Sequence, residues 1–308
     1  MANGVRRKSA GFAQYRKCRV AGLSMTSRPS AASMPLFELR PPPLTVTNGR
    51  GRASAISAEA QPERPELRPF FGYYGGKWNN ALKHYPAPEH ATIIEPFAGS
   101  AGYALRYADR KVILCEIDPI LVEVWRYLIR VKPKEILSIP DLKPTGTLDD
   151  LKVPQEAKWL VGFWLNRGVP APRRSPSKWM REGIRPGSFW GDRVRQTIAR
   201  QVESIRHWQI HGCSYDKCPT SRTATWFVDP PYEHAGKHYR FGSEKIDFKA
   251  LGAWCRSRSG QVIVCENEGA TWLPFRELAD SRTTRATRMS KEVYWLDTFA
   301  RRPKSNGA

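Results

Sequence analysis

The chain has 308 residues, of which 41% are hydrophobic and 11% aromatic, which excludes global disorder and leaves room for one large domain or a core carrying an insertion. No stretch of about 18 uninterrupted apolar residues exists to cross a bilayer. Against 29 Asp and Glu stand 50 Lys and Arg, a formal charge of +21, which points to a polyanionic partner, most simply nucleic acid or an anionic membrane surface.

That excess is segmental. Residues 1–68 carry +8, residues 69–130 only +1, residues 131–225 another +8 and residues 226–308 the remaining +4. The first block is rich in Ala, Ser, Arg, Gly and Pro, has Pro41, Pro42 and Pro43 in a row and no acidic residue before Glu38, so residues 1–68 read as a disordered basic extension. Its composition also fits an organellar transit peptide, and a downstream start at Met25 or Met34 is the other reading.

From Pro69 onward the pattern alternates. Thr92 to Phe97 predicts a short buried strand, followed by a Gly-containing turn and a helix through Tyr103 to Ala108. Lys111 to Glu116 predicts a second strand and Pro119 to Arg130 a helix opened by proline. After a Pro- and Arg-rich stretch with helical pieces at Ala157 to Asn166 and Val194 to Trp208, two buried strands follow at Thr225 to Val228 and Gln261 to Cys265, with a helix at about 246–258 between them. This alternation predicts an α/β fold with a parallel, doubly wound sheet. The expected division is a core of residues 69–130 and 207–300, an inserted, mainly helical region at 131–206 and a tail at 301–308.

Three motifs carry chemistry. The first is Glu95-Pro96-Phe97-Ala98-Gly99-Ser100-Ala101-Gly102, where glycines let the backbone turn sharply and lie against a ligand. Only two of the three glycines of a nicotinamide fingerprint are present, so a pyrophosphate cradle is not supported. The second is the acidic end of the next strand, Glu116 with Asp118, placed where a carboxylate can accept both ribose hydroxyls of an adenosyl group; a solvated strand-end acid is the alternative. The third is Asp229-Pro230-Pro231-Tyr232, directly after an apolar strand. Two prolines force a rigid extended loop that offers a carboxylate, a carbonyl and an aromatic face, a set suited to a planar ring bearing an exocyclic amine.

With these motifs and Phe71-Gly72-Tyr73-Tyr74-Gly75-Gly76-Lys77-Trp78 ahead of them, residues 69–297 resemble the Dam-like DNA adenine-N6 methyltransferases of bacteria and phage, site-specific enzymes that include partners of restriction systems. The resemblance implies a Rossmann-like sheet, S-adenosylmethionine as cofactor, double-stranded DNA as partner, a monomer in the cytoplasm, and neither metal nor membrane. It implies that Tyr73, Lys77, Phe97, Gly99, Gly102, Glu116, Asp118 and Asp229 surround the cofactor. Asp229 and the Pro230 carbonyl would hold the target amine, Pro231 would stiffen the loop, and Tyr232 would stack on the flipped adenine. Where the family has Asp-x-Asn this chain has Glu116-Ile117-Asp118, leaving open which acid takes the ribose. Methyl transfer to cytosine-N4 or to an RNA base, and a catalytically silent DNA-binding module, are the competing readings.

Residues 167–206 hold ten basic side chains against three acids, with Trp179, Phe189 and Trp190 interleaved. They occupy the position of the family's target-recognition region, which implies DNA contacts for Asn166, Arg167, Arg173, Arg174, Lys178, Arg181 and Arg185. The continuation that reads GATC is not recognisable, so no target sequence is assigned. The six cysteines, with no secretory signal, are expected as reduced thiols. A zinc set of His207, His211, Cys213 and Cys218 matches no standard spacing and is not expected. Cys265 to Glu268 either lines the base pocket or forms a solvated turn, and His234 and His238 fall in a loop beyond Asp229-Pro-Pro-Tyr232.

Overall fold

The computed structural model describes residues 66–219, 223–278 and 291–298, which fall within the compact unit Gln61–Ala308. The extension up to residue 65, with Cys18, Met25 and Met34, and the tail at 301–308 lie outside the described residues.

In chain order the strands are β1 (Thr92–Glu95), β2 (Lys111–Glu116), β3 (Gln209–Gly212), β4 (Ala224–Val228), β5 (Gly260–Asn267), β6 (Arg276–Glu277) and β7 (Glu292–Asp297). They form one sheet in the order β3-β2-β1-β4-β5-β7-β6. The first five run parallel, with Ile93 opposite Val112 and Trp226 opposite Val262. The strands β7 and β6 run antiparallel at one edge. The protein is thus α/β with a mostly parallel sheet, compatible with double winding. The chain leaves β1 toward β2 on one side while β4 lies on the other, so a crevice opens at the carboxyl ends of β1 and β4, where such sheets bind ligands.

The strands β2, β4 and β5 are near-continuous apolar runs because both faces are covered. The pattern alone does not reveal β3 and β7: β3 is a half-exposed edge strand, and β7, buried at its start and half-buried after it, pairs against the chain direction. The helix expected at Tyr103 to Ala108 is only a 3-10 turn at Ala104–Tyr107. Left-handed backbone at Gly99 (φ 46°) and Ala101 (φ 51°) keeps the chain in an irregular turn just ahead of it, so no regular helical turn feeds into this segment.

The helices are α1 (Trp78–His84), α2 (Pro119–Arg130), α3 (Pro133–Leu137), α4 (Gln155–Trp164), α5 (Lys178–Arg181), α6 (Asp192–Gln201) and α7 (Phe248–Arg256). Asp118 caps α2 by accepting from the Ile120 amide at 2.9 Å, and Pro119 supplies the preorganised first position. The buried face of α2, Leu121, Val124, Trp125 and Leu128, joins the sheet residues Ile93 and Leu114 to Leu160 and Phe163 of α4 and Ile198 of α6 in one hydrophobic cluster. Residues 131–206 therefore share the core of the sheet. The folded chain also starts ahead of residue 69: Leu67 is buried, its carbonyl accepts from Trp78 Nε1 at 2.7 Å, and the backbone of Arg68 is bracketed by the Gln201 amide at 3.0 and 2.7 Å.

Trp125 connects these layers, packing on Phe70, Phe71 and Trp208 while its Nε1 donates to the Gly99 carbonyl at 2.9 Å. Trp125→Ala is expected to destabilise the fold by about 3–5 kcal/mol. Trp125→Phe keeps much of the packing and loses chiefly the anchored carbonyl, about 1–3 kcal/mol, which denaturant titration of the three proteins would distinguish.

Candidate active site

The turn after β1 is organised from both sides. Its Gly99 amide donates to Glu116 Oε2 at 3.0 Å, the Ala98 amide to the Cys115 carbonyl at 3.0 Å, and Glu95 Oε1 accepts from the Ala104 amide at 2.7 Å. Segment 71–78 lies flush on this turn. A Cβ on Gly102 would stand 2.6 Å from the Trp78 nitrogen and 2.9 Å from that of Lys77, and one on Gly99 would stand 3.1 Å from the Tyr73 ring. The two glycines thus serve close approach of one backbone segment to another as well as lining the cleft.

At the end of β2 the Glu116 carboxylate accepts three backbone amides, Gly99, Ile117 and Asp118, at 2.9–3.0 Å. Burial raises its pKa, while these amides oppose the rise. A carboxylate offers about four lone-pair sites, so roughly one remains for a ligand. Asp118 spends Oδ1 on the α2 cap and on Arg240 at 3.4 Å, so both acids reach the cleft and neither is excluded from the ribose position.

Asp229 leaves β4 into an ion pair with Lys77. Its Oδ1 lies 2.9 Å from Lys77 Nζ, and Glu292 Oε1 of β7 lies 3.6 Å from the same ammonium. Lys77 is 4% exposed, donates also to the Gly75 carbonyl at 2.9 Å, and sits 4.8 Å above the Tyr232 ring. Burial alone would lower the Lys77 pKa; the Asp229 and Glu292 carboxylates outweigh it and raise the value. Burial raises the Asp229 pKa, and Lys77 counteracts part of the rise.

Expected and observed roles differ at Tyr232. Its ring carries the Lys77 ammonium, its hydroxyl reaches Glu292 Oε1 at 3.5 Å, and the residue packs against the core rather than forming the cleft wall. The cause is a tight return of the chain, in which the Ala235 and Gly236 amides both donate to the Tyr232 carbonyl at 3.2 and 2.7 Å. Glu266 is neither solvated nor in the cleft: fully buried, it accepts from the amides of Glu233 and Asn267 and from Trp272 Nε1 at 2.9–3.2 Å, clamping this loop.

The resulting cleft is open to solvent. Its walls bring together all eight residues expected around a cofactor, Tyr73, Lys77, Phe97, Gly99, Gly102, Glu116, Asp118 and Asp229, with Pro231. The backbone-held motifs left several lining residues unannounced: Tyr215, whose ring stacks on Phe97 at 5.5 Å, and Tyr239 and Arg240 beyond the proline loop. Glu292 also lacked a signal, because an acid at a strand start is ordinary until the fold places it against Lys77, Tyr85 and Asn80.

A second cleft, sharing Tyr73, Gly76 and Ser100 with the first, is lined by Arg68, Asn166, Arg167 and Arg193. The other basic candidates are exposed but unequal: Arg174 pairs with Asp149 at 2.6 Å, Lys178 with Glu182 at 3.7 Å, and Arg181 donates to the Pro176 carbonyl at 2.7 Å, whereas Arg173 and Arg185 project from the surface. Of the interleaved aromatics, Phe189 and Trp190 belong to the core and Trp179 is 56% exposed. Arg206 is structural, donating to the Ile129 and Val131 carbonyls.

The expectation of reduced thiols meets a correction. The end of β2 and the loop before β4 bring Cys115 and Cys218 to a Cα separation of 6.1 Å, and they form a disulfide, while Cys213, Cys255 and Cys265 are free.

No family model and no curated protein matches the chain. A solved structure described as a conserved hypothetical protein of Streptococcus pyogenes is similar over 67% of this chain and 85% of its own length, at 12% identity and a TM-score of 0.29. Among the described residues no helix is long and apolar enough to cross a membrane.

Glu95 supplies a test of the site's electrostatics. Burial pushes its carboxyl up to about 8, against the opposing Ala104 amide, and the Asp229 charge adds to the rise. The folded chain therefore keeps a proton that the unfolded chain has released across the window from the ordinary carboxyl value to about 8. This contribution to stability is full below that ordinary value and is lost as pH rises, at about 1.4 kcal/mol per pH unit. Glu95→Gln retains the acceptor and is expected to remove that slope, read from denaturant titrations at pH values spanning the window.

Proposed function

We propose that the chain is an S-adenosylmethionine-dependent DNA methyltransferase built on a Rossmann-like sheet, acting on the N6 amine of an adenine turned out of the duplex. The observation that carries this reading is the meeting of Asp229 with the Gly99 turn and the Glu116–Asp118 pair in one cleft at the carboxyl ends of parallel strands, although 113 positions separate Glu116 from Asp229.

The donor set fits the cofactor. Glu116 and Asp118 supply acceptors for ribose hydroxyls, the stacked Phe97 and Tyr215 supply apolar surface for a purine, and Gly99 keeps the floor free of side chain. When bound, the sulfonium supplies an electrophilic methyl group. Asp229 and the Pro230 carbonyl accept the two hydrogens of the target amine, favouring a pyramidal nitrogen whose lone pair is freed from the ring. The Lys77 ammonium beside Asp229 offsets part of the rise that burial imposes on its carboxyl. For Tyr232 to stack on the base, its ring would have to turn out of the packing it makes beneath Lys77. Such a stack is worth about 1–3 kcal/mol against an extrusion of a few kcal/mol, so phosphate contacts supply the rest. The second cleft, with Arg68, Arg167 and Arg193, is the natural place for them.

Asp229→Ala is expected to abolish methyl transfer to DNA while S-adenosylmethionine still binds by calorimetry; full residual activity would overturn the assignment. Digestion of methylated DNA to nucleosides should yield N6-methyladenine, and N4-methylcytosine would place the enzyme with the competing amine.

Arg167→Ala combined with Arg193→Ala is expected to weaken DNA binding and to flatten the log K against log salt slope by roughly 0.9 per lost phosphate contact, with cofactor affinity unchanged. An unaltered slope would remove the second cleft from the DNA surface.

A further inference from the structure

Three cysteine sulfurs converge on the face of the sheet opposite α2. Those of Cys115, Cys213 and Cys218 all lie within 4.8 Å of one another. Cys115 and Cys218 are buried in the smaller hydrophobic cluster, and Cys213 is partly exposed, giving the trio one opening to solvent. Sulfurs bound tetrahedrally to zinc at about 2.3 Å stand roughly 3.8 Å apart, so the trio needs only small side-chain adjustments to surround such an ion. A disulfide needs two of these residues and leaves the third unexplained.

The strand register adds a nitrogen to the same face. His211 is the partner of Cys115 across the parallel pair of β2 and β3, which puts both side chains on one side of the sheet, and Cys213 follows it with the strand alternation. His211 Nε2 is buried without a hydrogen-bond partner among the described residues. Its ring stands outside the 4.8 Å circle of the sulfurs and would have to turn toward them. His207, the other histidine of the sequence-level zinc set, is instead committed to the Arg110 carbonyl at 3.0 Å. No spacing pattern in the sequence could group these thiols, since Cys115 stands 98 positions before Cys213.

We propose that Cys115, Cys213 and Cys218, once reduced, form a structural thiolate site for a soft divalent cation, zinc being the natural occupant, with His211 as the fourth ligand. Reduction by a dithiol breaks the Cys115–Cys218 bond, delivers two electrons and two protons to its sulfurs and leaves the reductant as its own disulfide. Zinc binding to the three thiols then releases three protons. The ion would fix segment 213–218, and with it Tyr215 against Phe97, beside the cofactor cleft. The site rests on the sulfur and histidine placement alone and does not depend on the methyltransferase reading.

The test uses the full chain, stripped of metal by a chelator in a phosphine reductant, which becomes its oxide with an oxygen from water. Zinc titrated against a chromophoric competitor is expected to bind at one equivalent per chain and to raise the melting temperature, and cobalt in its place is expected to show thiolate charge-transfer and tetrahedral d–d absorption. Cys213→Ser, a change at a partly exposed position, should weaken zinc binding by more than the roughly 10–100-fold typical of lost outer-shell partners, while Cys255→Ser leaves it unchanged. His211→Ala should weaken it by at least about 10-fold; full affinity there would overturn the fourth ligand. Less than a tenth of an equivalent bound by the reduced protein, unaltered affinity in Cys213→Ser, or a Cys115–Cys218 disulfide that persists in the reductant would each overturn the site.

Discussion

Lys77 is a buried ammonium with two carboxylates on it, and the rest of the site is arranged around keeping it there. A lone buried ammonium is costly, and removing one partner of a buried pair typically destabilises by about 3–5 kcal/mol. Here the partners come from the end of β4 and the start of β7, while Lys77 comes from segment 71–78, so one charge holds three distant stretches of chain at one point. The same ammonium covers the Tyr232 ring and so sets how the proline loop returns toward the core. Gly102 makes this geometry accessible, since any side chain there would push Lys77 and Trp78 off the turn.

Around that point the chain separates two electrostatic tasks. The ligand cleft gathers four acids, Glu95, Glu116, Asp118 and Asp229, against the cations Lys77, Arg240 and Lys245 and several backbone amides. The adjoining cleft carries Arg68, Arg167 and Arg193 and draws its walls from segment 68–79, Ser100 and residues between 163 and 198. Tyr73 stands in both, and its bridge to Val169 ties the start of the folded chain to the inserted region. In the proposed reading this is where a base would pass from the duplex surface to the carboxylate that receives its amine. Because the inserted region shares the core cluster of α2, the two clefts are held in register by packing rather than by a hinge.

Much of this was legible in residues. The strands β1, β2, β4 and β5 follow from apolar runs, α2 from the proline that opens it, and α7 from its place between β4 and β5. The eight residues expected around a cofactor, among them the motif glycines and acids, line one cleft. What was not legible depends on pairing across the fold. The edge strand β3 and the antiparallel β7 have no distinctive local period, and Glu292, Tyr215 and Tyr239 acquire a role only from what they are placed against. Phe189 and Trp190 read as partners of the basic run and turned out to be core, because aromatic composition does not say which way a side chain faces.

By itself, then, the sequence determined the alternation of strand and helix, the segmental placement of the charge and the local chemistry of the three motifs, all properties that neighbouring residues settle among themselves. The tertiary structure alone decided that Asp229 meets Lys77 and Glu292, that Tyr232 is capped by an ammonium, and that Cys115 joins Cys213 and Cys218. Those contacts arise from the order in which the strands assemble, and strand order is set by the burial of whole faces rather than by any local run of residues.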